Sequence, residues 1–424
     1  MDNGPKHGSL ARLLPKSMLE TVWLSGFEKE KRDWITHRKR RVRLRAAPNR
    51  NLDRLFRLTR SRNRRFLFLG GNMTKVRTLG EPRYSVRFAI LVLAFIVVFF
   101  GSFLLGRYSV SFGALLRIFW AKLVELVTLG RVTLAQSWTD MEGAVVVNIR
   151  LPRIICAALV GAALSTAGAS YQGMFRNPMV SPDLLGASTG AGFGAALAIL
   201  LSFNYFGITV MAFCCGLAAV LLAYTVSRFS RLNTTLSMVL AGVMISSLFS
   251  AGTSFVKLVA DTEDQLPAIT YWLMGSLSSI KGQDTLFAFV PIVIGLIPLF
   301  LLRWRINLLT LSEAEAKSLG INTGRLRLLV IICATLITSA SVAVSGMIGW
   351  VGLVIPHFCR MIFGYDYRRL IPSSILMGST FLMVVDDIAR NITTSEIPLG
   401  ILTSFVGAPV FIYLILTGGS NREH

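Results

Sequence analysis

Residues Arg150 to Ala198 read RLPRIICAALVGAALSTAGASYQGMFRNPMVSPDLLGASTGAGFGAALA, two apolar segments joined by a short polar link with Asn177, Pro178, Pro182 and Asp183. Small residues recur at a spacing of four: Ala157, Gly161, Ser165, Ala169 and Gly173 in the first segment, and Gly186, Gly190, Gly194 and Ala198 in the second. A four-residue step stays close to one face of a helix. In lipid, burying apolar surface against a neighbour gains little over burying it in acyl chains, so such a stripe serves close backbone approach and dispersion contact. The stretch predicts a tightly packed helical hairpin inside a membrane.

The rest of the chain agrees with that solvent. Of 424 residues, 53% are hydrophobic and 16% charged, with a mean hydropathy of +0.60. That balance excludes a single soluble core and predicts an all-α polytopic membrane protein. Runs of about twenty apolar residues, enough to cross a hydrocarbon core, begin at Val86. Ten spans are predicted, at 86–106, 152–173, 184–202, 206–226, 234–258, 285–302, 325–344, 348–363, 371–389 and 398–417. Cys156, Cys214, Cys215, Cys333 and Cys359 lie in or beside these spans without a CxxC pair and read as packing residues.

Charge divides the chain unevenly. Residues 1–72 carry 19 Lys and Arg against 6 Asp and Glu and contain no run long enough to span a bilayer. This extension is compatible with a disordered basic arm drawn to anionic lipid or nucleic acid, a targeting peptide, or sequence upstream of the functional start. Glu20, Glu28, Glu30 and Asp33 argue against a transit peptide, and the basic lead after Met73 favours that methionine as the start. Residues 73–424 then form the membrane domain. Arg176, Arg228, Arg231, Arg303, Arg305, Lys317, Arg325, Arg327, Arg360, Arg368 and Arg369 fall in alternate links. The positive-inside rule makes those links, and both termini, cytoplasmic. The outer link 261–284 holds ITYWLMGSLSSI, an interfacial half-helix by its Tyr271 and Trp272.

The inner link LTLSEAEAKSLGINTGRLR, residues 309–327, carries its own punctuation. Ser312 and Glu315 form a capping-box pair, Gly320 stands where a helix C′ glycine belongs, and Asn322 or Thr323 can cap the next helix. A short helix from Glu313 to Leu319 outside the membrane follows, suited to docking a partner.

Catalytic signals are sparse. Gly186-Ala-Ser-Thr-Gly190 matches G-x-S-x-G, but that motif needs a strand-to-helix turn and a histidine partner. Ser188 with His357 defines the alternative of an intramembrane serine hydrolase. No lysine follows a glycine, so the phosphate-cradling G-x-x-x-x-G-K-[ST] loop is absent from the sequence. No HExxH or carboxylate cluster suggests a metal site. Asp386 lies four residues before Arg390, predicting a helix-surface pair. A proton relay through Asp386 and Asp387, and with it an ion-coupled porter, is the functional alternative. Gly242, Ser246, Ser250 and Ser254 on one span, and Gly400, Ser404 and Ala408 on the last, form weakly polar faces that either line a solute path or pack helices.

Taken together, Arg150-Leu-Pro-Arg153, the Gln172 to Gly186 run QGMFRNPMVSPDLLG, LSEAEAKSLG at 311–320, GMIGWVGLVIPHFCR at 346–360 and EIPLGILTSFVGAPVF at 396–411 resemble the FecCD-type permeases of ABC importers, including the cobalamin importer permease. The resemblance implies a type II permease fold of ten helices and transport of an iron-siderophore, cobalamin or haem. It implies a permease homodimer or heterodimer, two cytoplasmic ATPase subunits that use ATP and Mg, an extracytoplasmic binding protein, and no nucleic-acid partner. No cofactor is expected on this chain. It further implies that Ser312, Glu313, Ala314, Glu315, Ala316, Leu319 and Gly320, within a coupling segment of about 312–323, meet the ATPase. Arg150, Arg153 and Arg390 match outer-face arginines that meet acidic residues of the binding protein. The 72-residue extension has no counterpart in that family.

Overall fold

The computed structural model describes residues 81–128, 137–230, 234–311, 313–318 and 322–418, so the basic extension, together with Ser312, Leu319 and Gly320, lies outside the described residues. The chain is helical from α1 (Glu81–Ser102) through α2 (Phe112–Val127) and α3 (Asp140–Ala144) to a π-helical turn at Val145–Arg150, which runs directly into α4 (Leu151–Phe175). A 3-10 turn, Pro182–Leu185, precedes α5 (Ala187–Leu200), followed by α6 (Tyr205–Phe229), α7 (Thr234–Val259) and α8 (Gln265–Met274). Then come α9 (Gly282–Leu301), α10 (Arg303–Leu309), α11 (Glu313–Ser318), α12 (Thr323–Ser345), α13 (Val351–Phe363), α14 (Tyr367–Asn391) and α15 (Leu399–Gly418).

Each of the ten expected spans has its helix. Seven are long and apolar enough to cross a membrane, whereas α5 and α13 are shorter apolar helices and α15 is apolar over its described stretch Leu399–Tyr413. At 1.5 Å per residue, the 13 residues of α13 reach only about 20 Å. The span expected at 348–363 loses its first residues to an irregular stretch after Gly346, where Trp350 has a left-handed φ of 68°. Around that break, Ser276 N donates to Ser345 O (2.8 Å) and Leu399 N to Gly275 O (2.8 Å), tying the ends of α8, α12 and α15 together. Irregular backbone at such depth requires partners within the protein. The interfacial half-helix is α8, while α2 falls in a link for which no helix was expected.

The opening hairpin requires correction. α4 and α5 share almost no contact; α4 packs on α14, α12, α13 and α9, and α5 on α6 and α7. Their stripes face different partners. A Cβ on Gly161 would overlap the Gly378 carbonyl of α14 and one on Gly168 the Gly352 carbonyl of α13, while Gly190 and Gly194 abut Cys215 of α6. Hydroxyls reinforce the α4–α14 contact, with Ser165 Oγ donating to Ser374 O (2.7 Å) and Ser379 Oγ to Ala158 O (2.8 Å). α4 is consequently buried on nearly every side, as is α12, whereas α1 is peripheral.

Candidate functional site

At one end of the bundle, α1, the π-helical turn, α4 and α14 bring together three guanidiniums and three carboxylates. Arg153 is bidentate to Asp386, Nε and Nη2 lying 3.0 and 2.9 Å from Oδ1 and Oδ2 taking a further bond from Nε. It is also bidentate to Glu396, at 2.9 Å from both Nη1 and Nη2. Arg390 pairs with Asp387 and approaches Asp386 at 3.4 Å. Its Nη2 donates to Ser102 O (3.1 Å), and Ser102 Oγ donates to Asp387 Oδ2 (2.7 Å). Arg150 donates to the carbonyls of Phe103 and Tyr108. Charges carried into a bilayer are costly unless paired, and this set is mutually neutralised.

One expectation changes here. Arg150, Arg153 and Arg390 are only 4%, 6% and 6% exposed, with donors directed into the chain. Asp386 is 1% exposed, so its i,i+4 pair with Arg390 (3.4 Å) is buried rather than on the helix surface, and its hydrogen bonds come from Arg153. Spacing along one helix could show the i,i+4 pair but not Arg153 arriving from α4.

At the opposite end, Arg176, Asn307, Leu311 and Asp366 converge. Arg176 Nη1 donates to Leu311 O (3.3 Å), and Asn307 Nδ2 to Asp366 Oδ1 (2.7 Å). Here α11 lies between α10 and α12, with Ala316 buried and Glu315 and Ser318 exposed. Asn322 caps α12 as expected, accepting from Arg325 N (3.0 Å). Near the same end a buried contact that sequence reasoning missed joins Arg360 Nη1 to Gln172 Oε1 (2.6 Å).

The weakly polar faces separate. Ser246 and Ser250 line a cavity of about 500 Å³ together with Ser181, Asp183, Leu184, Val243 and Ser247. Ser404 lines another, of about 590 Å³, with Met274, Met347 and Phe405 among its walls. Gly242 instead packs against the Leu184 carbonyl, and Ser254 is exposed with its hydroxyl bonded to Ser250 O (3.0 Å). Asp183, which the sequence offered only as part of a polar link, accepts a hydrogen bond from Ser188. Burial pushes its carboxyl above the ordinary range and that bond opposes the shift. Ser188 is thereby committed to a carboxylate, and among the described residues no hydrogen bond joins it to His357, so the hydrolase constellation is not assembled.

Ten apolar helices, two of them short, with small-residue contacts and hydroxyl-lined cavities define a multi-pass membrane protein. Residues 92–417 match the FecCD transport family, and the chain belongs to that family. It is 39% identical over 321 residues to the molybdate import system permease protein MolB of Haemophilus influenzae, covering 75% of this chain and 92% of that one. It is 34% identical over 319 residues to the Fe(3+) dicitrate transport system permease protein FecC of Escherichia coli, covering 72% and 95%. A solved structure described as an inward-facing conformation of a metal-chelate type ABC transporter aligns with a TM-score of 0.69 and 37% identity, covering 78% of this chain and 99% of that one.

Proposed function

We propose that this chain is the permease subunit of an ATP-driven importer for a bulky metal chelate in the cytoplasmic membrane, with both termini cytoplasmic. The observation that carries this is the family match across residues 92–417 combined with an aligned metal-chelate transporter structure. An iron chelate is the favoured cargo, supported by the aligned metal-chelate transporter structure; cobalamin, haem, a citrate-type chelate as named for the Escherichia coli relative and, from the molybdate relative, an oxyanion are the competing outcomes. The basic links supply the orientation, which places α11 inside and the Arg153 cluster outside.

Two such permeases form the path, as a homodimer or heterodimer. Ser246, Ser250 and Ser404 face it, and the exposed apolar residues Met244, Leu248, Phe405 and Ile412 are covered by the second copy or by lipid. Two cytoplasmic ATPase subunits bind ATP and Mg and receive α11 through Glu313, Ala314, Glu315 and Ala316, with Ser312, Leu319 and Gly320 completing the segment. An extracytoplasmic binding protein sits on the opposite rim. There the buried Arg150, Arg153 and Arg390 set the rim's shape for that partner's acidic groups. The test is ATPase activity of the purified assembly: stimulation by chelate-loaded binding protein supports the proposal, and activity indifferent to that protein contradicts it.

A further inference from the structure

Among the described residues, Asp183 is the only carboxylate lining the cavity between the 3-10 turn and α7; the remaining polar wall consists of Ser181, Ser246, Ser247 and Ser250. Asp183 and Ser181 come from the turn, and Ser246, Ser247 and Ser250 from successive turns of α7. The α7 wall is accessible: Ser247 and Ser250 are exposed and Ser246 half-buried. Ser247 Oγ donates to Val243 O (2.9 Å), which leaves its lone pairs turned to incoming donors. Ser188 holds one carboxylate oxygen of Asp183, and that bond favours the ionised form against the burial that raises the carboxyl. An ionised carboxylate beside hydroxyl acceptors in a cavity of about 500 Å³ attracts hydrogen-bond donors and positive charge and repels anions.

We infer that Asp183, framed by Ser246, Ser247 and Ser250, is a charge-selecting residue of the translocation path that favours neutral or cationic, donor-rich chelates over polyanionic ones. This rests on the permease reading, because it takes the cavity to be part of the path. It also separates this chain's cargo from citrate-type chelates and from oxyanions. Asp183 is a specificity-determining residue here; no bond is made or broken at it.

The test uses the full complex with Ser250→Cys as reporter, corrected for the native cysteines with the parent chain. Its modification rates by trimethylammonium-ethyl and sulfonatoethyl methanethiosulfonate are compared. Altered thiol reactivity affects both reagents alike, so their ratio, divided by the ratio measured for a small free thiol in solution, reports the local potential. The expected ratio is about tenfold in favour of the cation, falling towards one in Asp183→Asn. Ser404→Cys in the other cavity should show no dependence on Asp183. Should Asp183→Asn fail to give monodisperse protein, Asp183→Ser, which also removes the carboxylate, should collapse the ratio in the same way. A ratio near one in the Asp183 parent, or one unchanged by both substitutions, overturns the inference. In uptake assays, Asp183→Asn should raise polyanionic relative to cationic chelate transport by about tenfold. Absence of any ATP-driven chelate uptake would instead overturn the permease reading, and the reagent ratio distinguishes the two failures.

Discussion

Arg153 lies between two carboxylates, and its position distinguishes structural from docking roles for the outer arginines. Removing it leaves Asp386 and Glu396 without their shared counter-charge, and stranding a buried charge costs about 3–5 kcal/mol. Arg153→Ala should therefore lower the apparent melting temperature of the purified permease sharply, with partial recovery when Asp386→Asn is added. A variant that melts like the parent but no longer binds the extracytoplasmic protein would assign the arginine to docking instead. Close backbone contact gives a second prediction. Gly168→Ala drives a methyl into the Gly352 carbonyl and should cost about 1–3 kcal/mol, whereas Gly101→Ala, with open space around its Cβ position, should leave the melting temperature unchanged. At this scale the sequence was partly legible: RLPR and the Asp386–Arg390 spacing pointed to residues that meet in one buried cluster. What they touch was not, because Arg153 and Asp386 are 233 positions apart and no local periodicity encodes that meeting.

Elements show the same division between face and partner. The four-residue stripes of α4 and α5 correctly identified tightly packed faces, but a stripe specifies close approach to some backbone and not to which one. The adjacent segments therefore looked like a mutual hairpin, although each packs on helices later in the chain. α2 escaped notice since its Arg117, Lys122 and Glu125 interrupt an apolar run; the exposed Phe112, Leu116, Trp120 and Leu123 recur at helical spacing and were the available signal. α11 was read from capping chemistry alone, and its six helical residues fall within the expected bounds. If this helix couples the permease to its ATPase, Glu313→Lys with Glu315→Lys should abolish copurification of the ATPase or reduce coupled uptake at least tenfold. Full coupling in that variant would refute the assignment.

At the scale of the whole molecule, composition and the recurrence of apolar runs were enough to give a polytopic helical bundle and ten spans, because lipid permits few other solutions. The cavities were less accessible: Ser246 and Ser404 were both marked as small polar positions, but only their packing environment assigns them to separate spaces and brings Asp183 beside the first. The central claim concerns what the assembled molecule does, and vectorial transport tests it most directly. The permease, its ATPase and its chelate-loaded binding protein are reconstituted in liposomes, with binding protein outside and ATP and Mg inside. Accumulation of an iron chelate that requires both internal ATP and external binding protein is the predicted result. Accumulation driven by an ion gradient without ATP would contradict the account and establish an ion-coupled porter.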